Sequence, residues 1–158
     1  MNYHLKWHPN VVVAAVVCKN QNGVDKFLLV RENTKDGIRI NQPAGHWEAG
    51  ESLIDAVKRE TFEETGYHFF PQFILGFYII DNSQEQRTFF RIAFGGEVSA
   101  NPENHQLDQE IIETMWWDLN TINKNQNLHR SKLVKKVIED FYQNQRLPLS
   151  IIYDLRNI

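Results

Sequence analysis

The sequence predicts an α/β layer sandwich, mixed strands with helices at two points. Three observations carry that expectation. Residues 11–18 are continuously apolar and rich in valine, the composition of a strand covered on both faces. Further β-branched and aromatic runs recur in pairs separated by turn residues, and two stretches, 52–65 and 128–143, place apolar residues at helical spacing.

Taken in order, Asn20, Asn22 and Gly23 supply turn chemistry after the first strand, so 26–31 returns as its hairpin partner. A polar loop over 33–37 leads to a short extended piece, 38–42, that ends at Pro43. Runs 73–80 and 87–94 flank a polar 81–86 and form a second hairpin. Residues 111–117 read as one more strand, and Asp118 is placed to cap a short helix starting at Leu119. The last helix carries Leu133, Val134, Val137, Ile138 and Phe141 on one face and basic residues on the other. No repeat or linker interrupts the order, so residues 1–158 are expected to form one domain.

The chain has 158 residues, 42% hydrophobic and 23% charged, the balance of a globular protein able to bury a sizeable core. Cys18 is the single cysteine, which excludes an intramolecular disulfide or a cysteine zinc cluster and points to a reducing, cytoplasmic setting. Residues 1–10 lack the apolar core of a signal peptide, and 11–18 is far shorter than the roughly 20 residues that span a bilayer. No membrane partner is expected.

Net charge is −3, but it is unevenly placed. Residues 45–67 hold six acids and two bases, residues 97–118 hold six acids and no lysine or arginine, and the remainder is basic. That division points to two charged partners, a cation and an anionic small molecule, with no general reason to bind nucleic acid.

Helix 52–65 begins at Ser52, a natural N-cap with Asp55 three residues on, and ends at Gly66, a natural C′ residue. With Leu53 at 0° on the helical wheel, Val57 falls near ~40° and Ala56 near ~300°, the stripe that should face the sheet. Glu60 falls near ~340°, Glu63 near ~280° and Glu64 near ~20°, on that same stripe. Repelling carboxylates on a core face call for a cation. Hard oxygen donors without cysteine favour Mg²⁺, or Mn²⁺, over zinc. Glu51 precedes the cap and is free to reach back; Arg59 is its nearest cationic partner, a pair that braces 45–50 against the helix unless Glu51 itself touches the metal.

These residues carry a resemblance. Gly45, five residues, Glu51, seven residues, then Arg59-Glu60-Thr61-Phe62-Glu63-Glu64-Thr65-Gly66-Tyr67 is similar to the signature of the Nudix hydrolase superfamily, with every charged and glycine position in agreement. Thr61 and Tyr67 depart, standing where the signature has bulky aliphatic residues. The resemblance implies a Nudix-type α/β/α sandwich and metal-assisted attack of water on a phosphoric anhydride. It implies Glu60, Glu63 and Glu64 as metal ligands with a backbone carbonyl near Gly45, and Glu63, Glu64, Glu51 and Arg59 as catalytic candidates. A later acid joins the site in many members; Glu113 is preferred here over Glu110 and Asp108.

The approach 41–46 and the tails 130–134 and 145–149 also resemble a bacterial phosphatase subgroup of that superfamily. That resemblance implies nucleoside tri- and diphosphates, and thiamine or hydroxymethylpyrimidine pyrophosphate, as substrates, with orthophosphate released. The rivals within the class release pyrophosphate from nucleoside triphosphates or cleave nucleotide sugars and dinucleotides. A rival from another class is a ligand-sensing or RNA-binding domain without turnover, kept open by the basic 130–136.

Arg31, Arg39 and Arg91 are strand cations suited to phosphate oxygens, and Trp47 is an aromatic beside the loop that could stack on a heterocycle. Phe62 lies near ~180° on the wheel, away from the stripe, and reads as packing or a surface lip, with stacking on a heterocycle as the alternative. Cys18, at the end of a buried strand, reads as core. A monomer is expected, with a homodimer as the alternative.

Overall fold

A computed structural model describes residues 7–83 and 85–156; the reading of the first ten residues falls, for 1–6, outside them. Strand β1 (Asn10–Gln21) is longer than its apolar run and organises the whole. Through Asn10–Val17 it runs parallel to β6 (Arg87–Val98), and through Cys18–Gln21 it pairs antiparallel with β2 (Val24–Thr34). The turn between them uses Asn22 at φ 53° and Gly23 at φ 82°, the left-handed pair such a hairpin requires.

The sheet runs β3 (Gly37–Asn41), β2, β1, β6, β5 (Phe69–Asn82), β8 (Leu147–Pro148), with β4 (Ala44–His46) also on β1 and β7 (Ile111–Asp118) also on β2. Among the described residues it has eight strands and is mixed, since only β1 and β6 are parallel among the named pairs. Two of these strands have no counterpart in the sequence reading. β4 lies in what reads as loop, because three residues with two small side chains carry no period-2 signal, and β8 is only two residues long.

Alternation along β1 separates two cores. Val13, Ala15 and Val17 join Ala56 and Val57 of helix α1 (Leu53–Thr65) on one face. Val16 joins Ile122 of α2 (Leu119–Lys124) and Val137 and Ile138 of α3 (Leu133–Tyr142) on the other. The architecture is therefore the α/β/α sandwich expected. Asp118 caps α2 by accepting the Thr121 N–H at 2.7 Å. The last helix begins later than its periodicity implies, at Leu133, with Gln126–Leu128 forming a 3₁₀ turn instead. Among the described residues no helix is long and apolar enough to cross a membrane.

Helix α1 starts and stops where its caps dictate. Ser52 Oγ accepts the Asp55 N–H at 3.0 Å and donates to Asp55 Oδ2 at 2.7 Å. Gly66 closes it at φ 72°, its N–H donating to the Phe62 carbonyl at 2.8 Å. A Cβ there would also meet the Glu103 carbonyl at 2.7 Å. Gly66→Ala is expected to lose about 2 kcal/mol in denaturant unfolding; a loss below about 0.5 kcal/mol would contradict this packing. The departures at Thr61 and Tyr67 are absorbed locally. Thr61 is fully buried and donates to the Val57 carbonyl at 2.7 Å, and the Tyr67 hydroxyl accepts from Trp116 Nε1 at 3.3 Å.

Candidate metal-binding and catalytic site

Strand β4 faces the inner side of α1, held there by its pairing with β1, where Val13 stands opposite Gly45. Glu64 is 7% exposed, and its Oε2 accepts the Ala44 N–H at 2.9 Å. One turn earlier Glu60, 8% exposed, lays its carboxylate against Gly45 so closely that a Cβ there would sit 2.1 Å from its carboxyl carbon. The helix thus presents its acids to the sheet side, as the wheel requires, and the glycine is what admits one of them.

Arg59 ties the acids together. Its Nε and Nη2 donate to the two Glu51 oxygens at 2.9 and 2.7 Å, a bidentate pair. Nη1 donates to Glu60 Oε1 at 2.7 Å and to Glu63 Oε2 at 3.1 Å, while Nη2 also reaches the His46 carbonyl at 3.0 Å. Glu51 additionally accepts the Glu48 N–H at 2.9 Å, so the loop before the helix is braced on the guanidinium. That pairing holds the Glu51 carboxyl below its usual range and raises the Arg59 guanidinium above its own.

A third acid meets the helix from elsewhere in the chain. Carboxylate oxygens of Glu60, Glu63 and Asp108 lie within 4.8 Å of one another. Asp108 arrives on the loop between β6 and β7, where its N–H donates to the Glu63 carbonyl at 3.1 Å. Glu113, the acid preferred from sequence, is placed differently: it stands opposite Arg31 on the β2–β7 ladder and forms an ion pair with it. The base-free segment 97–118 marked the region. It could not rank Asp108, because the position of an aperiodic loop residue depends on how the loop docks.

Burial dominates the electrostatics. Desolvation pushes the Glu64 carboxyl up to about 9, with the Ala44 N–H opposing and Glu32, Glu60 and Asp108 adding to the rise. Desolvation raises Glu60 as well, against the pull of Arg59. Such carboxylates are held charged by a cation, and Arg59 neutralises only part of the group. An all-oxygen donor set fits a hard divalent ion.

The other candidates are dispersed. Arg91 is 6% exposed, donates from Nη2 to Asn41 Oδ1 at 3.2 Å, and has a buried Nη1 with no hydrogen-bond partner. Desolvation lowers its guanidinium to about 10, with Glu32 and Glu64 opposing. Arg39 is turned to its own strand, Nη1 donating to the Ile38 carbonyl at 2.9 Å. Trp47 Nε1 donates to the Glu51 carbonyl at 2.9 Å, with the Arg156 guanidinium over its ring at 5.2 Å. Cys18 is half-buried, its thiol pushed up to about 11 chiefly by desolvation. Two open recesses of about 420 and 480 Å³, one beside Asp118 and Tyr142 and one beside Tyr78 and Asp140, contain none of the clustered acids.

Comparison with known proteins identifies the family. The family model described as NUDIX domain matches residues 8–137. The chain is 36% identical over 146 residues to "Phosphatase NudJ" of Shigella boydii serotype 4 (strain Sb227), covering 92% of each. A solved NUDIX hydrolase from Nitrosomonas europaea superposes with TM-score 0.88 at 39% identity, over 96% of this chain and all (100%) of that one. The MutT protein from Methanosarcina mazei Go1 superposes with TM-score 0.70 at 26% identity, over 89% and 99%. The chain belongs to the Nudix family and is a hydrolase of phosphoric anhydrides.

Proposed function

We propose that this hydrolase is a Mg²⁺-dependent phosphatase that cleaves nucleoside tri- and diphosphates, and thiamine or hydroxymethylpyrimidine pyrophosphate, releasing orthophosphate. The observation that carries the reading is the convergence of Glu60, Glu63 and Asp108 beside the buried Glu64, in a chain similar to the NudJ phosphatases. Glu60, Glu63, Glu64 and Asp108, with the Gly45 carbonyl, are the groups that would hold Mg²⁺; Mn²⁺ suits the same donors. A bound divalent ion neutralises anhydride oxygens and lowers the barrier to attack by water.

The chain's own residues do the rest. Arg59 keeps Glu60 and Glu63 aligned through hydrogen bonds at 2.7 and 3.1 Å, and Glu51 fixes Arg59. Asp108 takes the place of Glu113 as the later acid, leaving Glu113 and Arg31 as a pair on the neighbouring ladder. Arg39 and Trp47 lie outside the acid group and are assigned to the rim. Arg91, being buried, is assigned to holding Asn41 rather than to meeting phosphate. A cytoplasmic setting fits a chain with one free cysteine.

Product identity tests this reading. With Mg²⁺ and a panel of nucleoside di- and triphosphates, thiamine pyrophosphate, a nucleotide sugar and a dinucleotide, orthophosphate is expected as the sole inorganic product, and a chelator should suppress it. Inorganic pyrophosphate from the triphosphates would favour the rival that releases pyrophosphate from nucleoside triphosphates. Nucleic-acid affinity without any hydrolysis would favour the binding-domain reading.

A further inference from the structure

We propose that Phe62, clasped between His68 and His105, is a latch that positions Asp108, so that affinity for the divalent ion is set partly by a side chain that touches neither ion nor substrate. The proposal rests on the reading of the clustered acids as a cation site. It starts from the loop itself. Between β6 and β7 the chain runs exposed from 100 to 110 apart from the half-buried Leu107, so almost no apolar burial holds the loop in place. Yet its Asp108 carboxylate must meet Glu60 and Glu63, whose oxygens lie within 4.8 Å of it.

The loop's far end is tied to β2, where the Asn33 N–H donates to the Glu110 carbonyl at 2.7 Å, and the rest docks on the outward side of α1 and the turn that follows. The Phe62 ring stacks on His68 with centroids 4.8 Å apart and an interplanar angle of 25°, and meets the His105 ring from the loop at 4.6 Å. Glu103 Oε1 lies 2.6 Å from His68 Nε2, and the Glu103 N–H donates to the Gly66 carbonyl at 2.9 Å. Three residues beyond His105, the Asp108 N–H donates to the Glu63 carbonyl at 3.1 Å. The exposed His68–Glu103 pair contributes little alone. The Phe62–His105 contact adds a side-chain clasp to the two backbone hydrogen bonds that join the loop to the helix side. Phe62 and Glu63 are neighbours on α1, so the ring that holds the loop and the acid that Asp108 must meet move as one rigid unit. Phe62 and His105 are positioning residues.

The experiment compares wild type with Phe62→Ala, Phe62→Tyr, Asp108→Asn and the Phe62→Ala/Asp108→Asn double variant in the full-length chain. Mn²⁺ binding without substrate is read by calorimetry, and the Asp108 amide by hydrogen exchange. Phe62→Ala is expected to weaken Mn²⁺ binding about 3- to 10-fold and to cut Asp108 amide protection about tenfold. Phe62→Tyr should restore both, and the double variant should bind no more weakly than Asp108→Asn alone. If Asp108→Asn weakens Mn²⁺ but Phe62→Ala does not, the latch is wrong. A raised KM with unchanged Mn²⁺ binding in Phe62→Ala would make Phe62 a substrate-stacking residue and overturn the proposal. Absence of Mn²⁺ binding by the wild type would instead sink the cation-site reading, while the amide exchange still decides whether Phe62 docks the loop.

Discussion

Glu64→Gln is expected to abolish hydrolysis, lowering kcat by about 10³-fold or more, the scale on which loss of a charge that stabilises a transition state is felt. The substitution is nearly isosteric, and the amide oxygen can still accept the Ala44 N–H that Glu64 accepts at 2.9 Å. What disappears is the negative charge, not the packing. A second readout separates these. In metal-free protein the Glu64 carboxyl is raised from 4.5 to about 9 by burial, so between those values the folded state binds a proton that the unfolded state has released. Stability therefore falls as pH rises through that window, with a slope of at most about 1.4 kcal/mol per pH unit from this group. Melting curves at pH 5.5 and 8 should show this fall in metal-free wild type and a smaller one in the variant. Substantial hydrolysis by Glu64→Gln would remove Glu64 from the metal set.

Gly45→Ala should cost about 10²-fold in kcat/KM and about 2 kcal/mol in stability, as overpacking of a fitted interior does. The added methyl would lie 2.1 Å from the Glu60 carboxyl carbon, far inside contact distance. Neither side yields easily, because β4 is registered on β1 at Val13 and Glu60 is held by Arg59 at 2.7 Å. Moving Glu60 is the cheaper response, and it dismantles the acid group. The cause is isolated by a double variant: in a Glu60→Ala background, Gly45→Ala should be nearly neutral for stability. If the two losses simply add, the clash is not the mechanism.

The signature residues were legible because their information is local. A helix with Ser52 and Gly66 at its ends must place Glu60, Glu63 and Glu64 within one arc, whatever surrounds it. Glu51 and Arg59 could be paired on paper because the N-cap releases Glu51 from the helix. The two cores were legible from β1 alone, since an unbroken apolar strand has no face to give to water.

Other assignments depended on partners distant in sequence. Arg91 reads as a strand cation suited to phosphate oxygens, yet it is buried beside Asn41, which comes from β3. Phe62 reads as packing or a lip because the wheel shows only which way it points; His105, from a loop 43 positions later, covers it. β4 has almost no pattern of its own and is a strand because β1 offers it an edge. Glu113 and Asp108 are equally acidic, and choosing between them requires the register that sets Glu113 opposite Arg31.

Caps, helical periodicity and the spacing of charged residues are properties of adjacent residues, and they were enough for the sandwich, helix α1 and the family. Which loop acid meets the helix acids, and which glycine makes room for Glu60, are matters of close approach between segments far apart in the chain. Such approaches follow from strand register and loop docking, whose free energies are sums over many weak contacts that no short stretch of sequence contains.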